Sequence, residues 1–197
     1  MDAFESVIAS ILQRQGYWTQ TSVKVDLTKA DKLEIGRHSS PRWELDVVAY
    51  QGRGNELRIV ECKSFLDSPG VQCTAFDGSN PIAAKRYKLF CDATLRRVVF
   101  RRLEQQMVDS GFCCPKPTIN LCLAAGKIKG DGDWLRGYFE KRGWLLIGPD
   151  EIKRELEALR ESGYENSVAA VVTKLLLRGP RNTGQRTLPE SGLNNKD

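Results

Sequence analysis

Three ionisable residues, Asp46, Glu61 and Lys63, lie in two short apolar segments and are of the types that hold a divalent cation against a phosphate. The first segment, Trp43–Tyr50, reads WELDVVAY, and the second, Glu56–Ser64, reads ELRIVECKS. Both segments are rich in Val or Ile and are bounded by turn residues, which predicts β-strands. Since side chains at i and i+2 of a strand share a face, we expect Glu61 and Lys63 to project the same way.

The connection between the two predicted strands is short and contains Arg53-Gly54-Asn55. This composition favours a hairpin, which would lay Asp46 near Glu61. Two carboxylates and one ammonium would then meet at one end of a sheet. Such a cluster suits a hard divalent cation together with a phosphate.

The chemistry expected there is metal-assisted hydrolysis. Mg²⁺ keeps several waters and needs only one or two carboxylates plus a substrate phosphate, so Asp46 and Glu61 suffice, with the backbone carbonyl of Cys62 as a further candidate ligand. A bound Mg²⁺ lowers the pKa of its water. Lys63 would orient or deprotonate that water, or neutralise charge that develops at phosphorus. The Cys62 thiol is expected on the opposite face, as an inert core group.

A fourth candidate, Glu5, lies on a predicted N-terminal helix. Apolar residues at helical spacing predict this helix over Phe4–Gln15, and Gly16 ends it. Glu5 lies at the border of the apolar face of the helix, where a carboxylate needs a partner. Two interpretations stay open: Glu5 reaches water, or it lies near the acids of the strands.

Length and composition indicate one globular domain, with 197 residues of which 41% are hydrophobic and 28% charged. No apolar run approaches the roughly 18 residues of a membrane helix, and the N-terminus lacks the basic region of a secretory signal. Six cysteines without a CxxC motif indicate reduced thiols, so we expect a cytoplasmic protein. Zinc is not expected, because the only histidine, His38, lies in a predicted polar loop.

Strand and helix patterns alternate in the second half of the chain, which predicts an α/β fold with a mixed sheet covered on both sides. Residues 17–37 alternate in part and predict one or two strands around a turn at Ala30-Asp31, and Phe65–Ala84 is predicted to be a long ordered loop. The later predictions are the longest helix over Lys85–Ser110, a strand over Pro117–Lys127, a helix over Asp133–Lys141, a strand over Gly143–Gly148 and helices over Pro149–Glu161 and Asn166–Arg178. We expect a core over residues 1–148, a helical extension of the same domain over 149–178 and a disordered tail over 179–197.

Positive charge is clustered along the chain. The net charge of +5 permits a polyanionic partner, and the stretches KRYK and LRRVVFRR together hold seven basic residues. Such stretches are either solvated helix faces or contacts to nucleic acid. The candidate DNA-binding residues are Lys85, Arg86, Lys88, Arg96, Arg97, Arg101 and Lys127.

The order FES…GYW, ELDVVAY, LRIVECKS and a long helix resembles the PD-(D/E)xK nuclease superfamily, above all its restriction-endonuclease-like and archaeal Holliday-junction-resolvase-like branches. The resemblance spans residues 1–148. It implies an αβββαβ core with a mixed central sheet and a DNA endonuclease that uses Mg²⁺, for which Mn²⁺ can substitute. It also implies that Asp46 and Glu61 are the metal-binding acids, Lys63 the catalytic lysine and Glu5 the helix-one glutamate of some branches.

The chain departs from the pattern of that superfamily at several points. Leu45, not proline, directly precedes the acid, and Pro41 lies further upstream. Glu44 is a candidate substitute or accessory acid. The segment Phe65–Ala84 is longer than a minimal member needs.

Two other classes of function stay open. One is a nucleic-acid-binding module that kept the fold without cleavage and holds phosphates through Arg96, Arg97, Arg101 and Arg102; the intact acids and lysine argue against it. The other is an interaction protein, in which apolar residues of Asp150–Arg178 form a homodimer. Packing of these helices on the sheet is the interpretation that we prefer.

Overall fold

The computed structural model describes residues 2–36, 42–161, 163 and 167–177, and its secondary structure within these ranges is α/β. The strands are β1 (Trp18–Asp26), β2 (Arg42–Gln51), β3 (Glu56–Lys63), β4 (Val71–Gln72), β5 (Thr118–Ala125), β6 (Ile128–Lys129) and β7 (Leu145–Ile147). The helices are α1 (Ala3–Arg14), α2 (Lys29–Glu34), α3 (Pro81–Ala84), α4 (Lys88–Cys91), α5 (Ala93–Asp109), α6 (Gly132–Glu140), α7 (Pro149–Glu161) and α8 (Val168–Leu177).

Five strands form a mixed sheet in the order β1-β2-β3-β5-β7. The first three strands are antiparallel, and the β3-β5 and β5-β7 pairs are parallel. The β2-β3 hairpin turns through a 3₁₀ turn, Gly52–Gly54, and through Asn55, whose left-handed φ of 44° suits this residue type. Helix α5 lies in the connection between β3 and β5, as a parallel pair requires. The predicted mixed sheet and the hairpin are therefore confirmed.

Apolar side chains cover both faces of the sheet. On one face, Leu57 and Ile59 of β3 belong to a core cluster with Leu95 and Val99 of α5. On the other face, Val60 packs in a second cluster with side chains of α1. Because residues of a strand alternate between faces, Glu61 and Lys63 follow Leu57 and Ile59 on the α5 side of β3.

Helix α1 begins with a complete capping box. The Asp2 carboxylate accepts the Phe4 N–H at 2.7 Å, and the Glu5 carboxylate accepts the Asp2 N–H at 3.4 Å. This arrangement satisfies amide groups that have no acceptor inside the helix. The helix agrees with the prediction to within one residue at each end.

The prediction of strand structure around Leu33–Ile35 is wrong, because the segment Lys29–Glu34 forms α2. Thr28 is its N-cap: the Asp31 N–H donates to Thr28 Oγ1, and the Asp31 carboxylate accepts the Thr28 N–H at 2.8 Å. A capping box fixes the start of even a short helix. The capping box of Thr28 and Asp31 therefore outweighed the partial alternation of apolar residues, which had predicted a strand.

The prediction of one helix over Lys85–Ser110 is also wrong at its start. Asp92 has extended backbone angles, and its side chain accepts the Leu95 N–H at 2.9 Å, so that a new helix, α5, begins at Ala93. The preceding residues form the short α4. The predicted loop Phe65–Ala84 is ordered but contains β4, a 3₁₀ turn and α3, and β4 pairs with β6 in a small parallel sheet.

The C-terminal part of the described chain is helical as predicted, and α7 has the predicted bounds. Helix α8 buries Ala170 and Thr173 but exposes apolar side chains such as Leu175 and Leu176. A homodimer through this helix stays a prediction. Residues 37–41, which include His38 and Pro41, and the predicted tail over 179–197 lie outside the described residues.

Two further findings concern the whole described chain. None of the helices in the described ranges combines the length and the apolar character that a membrane crossing requires. None of the six cysteines, all of which lie in those ranges, forms a disulfide.

Candidate metal centre

The sheet is irregular at Asp46. Leu45 packs on the α5 side of the sheet, whereas Val47, two residues further along, packs on the α1 side, so the alternation of faces slips by one between them. Position 22 lies opposite Asp46 in the antiparallel register, and there Ser22 has a left-handed φ of 52°. Such a backbone conformation costs roughly 1–3 kcal/mol and is enriched at functional sites.

On its other side, β2 separates from β3 at the same point. Main-chain pairing of the two strands ends at Val47 and Val60, one step short of Asp46 and Glu61. Beyond that step a side chain replaces the main chain, since the Cys62 N–H donates to Asp46 Oδ2 at 2.7 Å. The carboxylate of Asp46 is thereby held between the strands.

Three oxygen atoms from β2 and β3 surround the ammonium group of Lys63. Its Nζ lies 3.0 Å from Glu61 Oε1, 3.2 Å from the backbone oxygen of Cys62 and 3.8 Å from Asp46 Oδ2. The structure therefore brings together the two acids, the lysine and the carbonyl that the sequence predicted as one cluster. Lys63 lies where a cation is favoured by two carboxylates and a carbonyl dipole.

This set of oxygens fits a hard divalent cation. Mg²⁺ is held in proteins by one or two carboxylates, with water and substrate phosphate as its other ligands. Within the described ranges, no three His, Cys, Asp or Glu side chains are grouped as a metal site. The candidate ligands are instead two carboxylates, of Asp46 and Glu61, and the backbone oxygen of Cys62. All three groups surround the Lys63 ammonium.

Burial and neighbouring charges shift the pKa values of Glu61 and Lys63. Burial raises the pKa of Glu61, and the neighbouring Lys63 offsets this rise only in part. Burial lowers the pKa of Lys63, but the carboxylates of Glu61 and Asp46 outweigh it and leave the pKa above its usual value. At neutral pH the lysine is consequently held as an ammonium by its neighbours.

Cys62 contributes its backbone and not its thiol. The side chain packs on the α1 face of the sheet, opposite Glu61 and Lys63, as predicted. Burial, followed by the negative charge of Asp46, raises the pKa of this thiol far above its usual value. A thiol of this kind is a poor nucleophile at neutral pH.

Glu5 lies close enough to the cluster to interact with it. Burial raises the pKa of its carboxyl group, the backbone N–H of Asp2 opposes the rise, and the charge of Asp46 adds to it. The charge of Asp46 therefore acts on Glu5, which is only partly buried, and both interpretations of Glu5 stay open. Any part that it takes in catalysis stays a prediction.

The strand end that carries Lys63 is fixed against β5. The Gly126 N–H donates to the backbone oxygen of Lys63 at 2.9 Å. A Cβ atom at position 126 would lie only 2.5 Å from the backbone oxygen of Ser64. Glycine therefore permits this close approach, which holds the backbone of Lys63 in place.

The cluster opens into a cavity of about 250 Å³. Its walls come from β2, β3, α4 and the segment between α3 and α4. The exposed Glu44 lies on this wall, as does Trp43, whose ring centroid is 6.0 Å from the ammonium of Lys88. The lining residues are Trp43, Glu44, Leu45, Asp46, Ile59, Val60, Glu61, Lys63, Lys85, Arg86, Lys88 and Leu89.

The predicted DNA-binding residues separate into two groups. Lys85, Arg86 and Lys88 line the cavity, whereas the arginines of α5 bind other parts of the chain. Arg97 pairs with Glu34 at 2.6 Å, and Arg101 pairs with Asp31 at 2.7 Å. Arg96 donates to the backbone oxygens of Leu89 and Phe90, Arg102 pairs with Asp31, and the exposed Lys127 follows the end of β5.

Comparison of the chain with models of known protein families, with curated proteins and with solved structures gives no match. The α/β fold, with its mixed five-stranded sheet flanked by helices, is therefore described from the structure alone.

Proposed function

We propose that this protein is a metal-dependent endonuclease that hydrolyses phosphodiester bonds of DNA. The observation that carries the proposal is the convergence of Asp46, Glu61 and the Cys62 carbonyl on one ammonium, in an open cavity with basic walls. A site of this composition can hold Mg²⁺ or Mn²⁺ and attract a phosphate at the same place. The sequence resemblance to the PD-(D/E)xK superfamily favours the same activity.

The roles of the residues follow from their chemistry. Asp46, Glu61 and the carbonyl of Cys62 would hold the divalent cation. When bound, the cation supplies Lewis-acid polarisation of the phosphate and a water of lowered pKa. Hydrolysis breaks one P–O ester bond: the oxygen of water joins phosphorus, and a proton passes to the leaving oxygen.

Lys63 acts beside the reacting phosphate. Its ammonium can neutralise the charge that develops on the phosphate oxygens, or orient the attacking water. The nearby Glu5 adds negative charge next to Asp46, which strengthens the attraction of the site for a cation. The close contact between Gly126 and Ser64 keeps the backbone of Lys63 from shifting.

Cleavage of supercoiled plasmid tests this proposal. With Mg²⁺ or Mn²⁺ the protein should convert supercoiled DNA to nicked or linear forms, and chelation with EDTA should stop the reaction. Asp46→Asn and Lys63→Gln should each lower the rate by about 10²- to 10⁴-fold. Asp26→Asn is the matched control: it removes a carboxylate from an exposed ion pair with Arg42 on neighbouring strands, and its rate should equal that of wild type.

The proposal is contradicted if the protein cleaves none of several forms of DNA. If protein in excess over DNA leaves supercoiled, linear duplex, single-stranded and four-way-junction DNA intact with either metal, the endonuclease is excluded. DNA binding without cleavage would then favour the nucleic-acid-binding module.

A further inference from the structure

Three basic residues that line the cavity, Lys85, Arg86 and Lys88, flank the buried Tyr87 in the sequence. In the sequence Lys85-Arg86-Tyr87-Lys88, Tyr87 is 2% exposed, and its ring packs 4.7 Å from that of Phe76. The turn is further fixed because the Tyr87 N–H donates to the backbone oxygen of Ala84. With the tyrosine anchored in the core, the other three side chains are exposed.

These three cations have no carboxylate partner among the described ion pairs. The Arg86 guanidinium lies 6.0 Å from the ring centroid of Phe65, and the Lys88 ammonium lies 6.0 Å from that of Trp43. Neighbouring charges of one sign repel each other, and a bound anion relieves that repulsion. The segment differs in this respect from α5, where Arg97 and Arg101 are both bound to carboxylates of α2.

The position of the segment identifies the anion. All three side chains line the cavity that contains Asp46 and Glu61, so an anion bound to them lies next to the candidate metal centre. A strand of nucleic acid can supply one phosphate to the centre and others to these cations, because its backbone carries one phosphate per nucleotide.

We infer that Lys85, Arg86 and Lys88 bind the DNA backbone next to the bond that is cut, whereas Arg97 and Arg101 of α5 are bound to α2 and take no part in DNA binding. The inference rests on the proposed function for the bond that is cut, but the binding surface can be tested without cleavage. These contacts are to phosphates and carry no base recognition. The binding that they supply is therefore independent of sequence and weakened by salt.

The experiment measures binding of a fluorescein-labelled 20-base-pair duplex by anisotropy, in EDTA, over a series of NaCl concentrations. The full chain carries Asp46→Asn, so that the DNA stays intact. One variant adds Lys85→Gln, Arg86→Gln and Lys88→Gln. A matched variant adds Lys29→Gln, Lys141→Gln and Lys153→Gln, which removes the same net charge from exposed positions outside the cavity.

The cavity variant should bind at least about tenfold more weakly at low salt, and the slope of log Kd against log[NaCl] should fall by about 2 to 3, which is close to one per phosphate contact. The matched variant should stay within about threefold of the parent, with a slope changed by less than about 1. Circular dichroism melting checks that each variant is folded. If the cavity variant is not, single Arg86→Gln and Lys88→Gln variants should each lower the slope by about 1.

Equal effects of the cavity and matched variants would overturn the inference, and so would a parent protein that does not bind the duplex. Failure of the proposed function is recognised separately. Absence of cleavage by wild type, together with a binding loss confined to the cavity variant, removes the nuclease and leaves the DNA surface standing.

Discussion

Two clusters in this protein pair basic side chains with carboxylates, but they differ in which of the two is in excess. Around Asp31, three guanidinium groups, of Arg97, Arg101 and Arg102, face the carboxylates of Asp31 and Glu34. In the candidate metal centre, a single ammonium faces two carboxylates and a carbonyl oxygen. The first cluster has more donors than its acids need, and the second has more oxygen than its one donor can satisfy.

The pKa values of the acids in the two clusters are shifted in opposite directions. Burial raises the pKa of Asp31, but hydrogen bonds from Thr28 and Arg101 outweigh it, and the net pKa is lowered. Burial raises the pKa of Glu61, and Lys63 does not outweigh it. Thr28 and the surplus of guanidinium groups therefore keep Asp31 ionised to a lower pH, whereas the single ammonium of Lys63 does not cancel the effect of burial on Glu61.

The largest effect expected from this comparison is on stability. Asp31→Asn should lower the free energy of unfolding by about 2 kcal/mol at pH 7, because the buried carboxylate loses a charge-assisted hydrogen bond from Arg101 and an ion pair with Arg102. Asp46→Asn should change it by less than about 1 kcal/mol, because an asparagine oxygen can still accept the Cys62 N–H. Urea titration followed by circular dichroism measures both values. Equal losses in the two variants would remove the distinction between the clusters.

The contribution of Asp31 to stability should depend on pH. The pKa of Asp31 is lowered in the folded protein, so its stabilising contribution is complete above its unfolded pKa, near 4, and is lost as the pH falls through the folded pKa. The difference in melting temperature between wild type and Asp31→Asn should be constant from about pH 7 to pH 5 and should shrink below about pH 4. A difference that grows as the pH falls would show the opposite sign of linkage.

The smallest effect is expected for the outermost arginine. The side chain of Arg97 is 67% exposed and pairs with Glu34. Arg97→Gln should therefore lower the free energy of unfolding by less than about 1 kcal/mol, and high salt should reduce the difference further. Urea titrations at low and high NaCl measure this. A loss as large as that of Asp31→Asn would mean that the cluster depends on its edge and not on its buried acid.

Much of the site follows from the sequence because it depends on short-range rules. Two apolar segments joined by a short turn predict a hairpin, and the period of two in a strand puts Glu61 and Lys63 on one face. The structure confirms both expectations. The capping box of α2, from Thr28 to Asp31, is a signal of the same local kind, and attention to it would have predicted that helix.

Other features depend on the folded surroundings and leave no such signal. The slip in β2 at Asp46 needs the left-handed backbone of Ser22 on the neighbouring strand. The arginines of α5 and the residues of the Lys85–Lys88 segment look alike as sequence, but Arg97 and Arg101 are neutralised because α2 places two carboxylates beside them. A basic residue thus becomes available to a ligand through what the rest of the fold leaves unpaired.

Ser22 lies on β1, whereas Glu61 and Lys63 lie on β3, on the far side of β2. Because β1 and β2 keep one register on both sides of position 22, the distortion of one strand is matched by that of its neighbour. A β-branched residue at position 22 resists a left-handed backbone. A substitution on β1 can therefore change the backbone at Asp46, although β1 contributes none of the three charged side chains of the candidate metal centre.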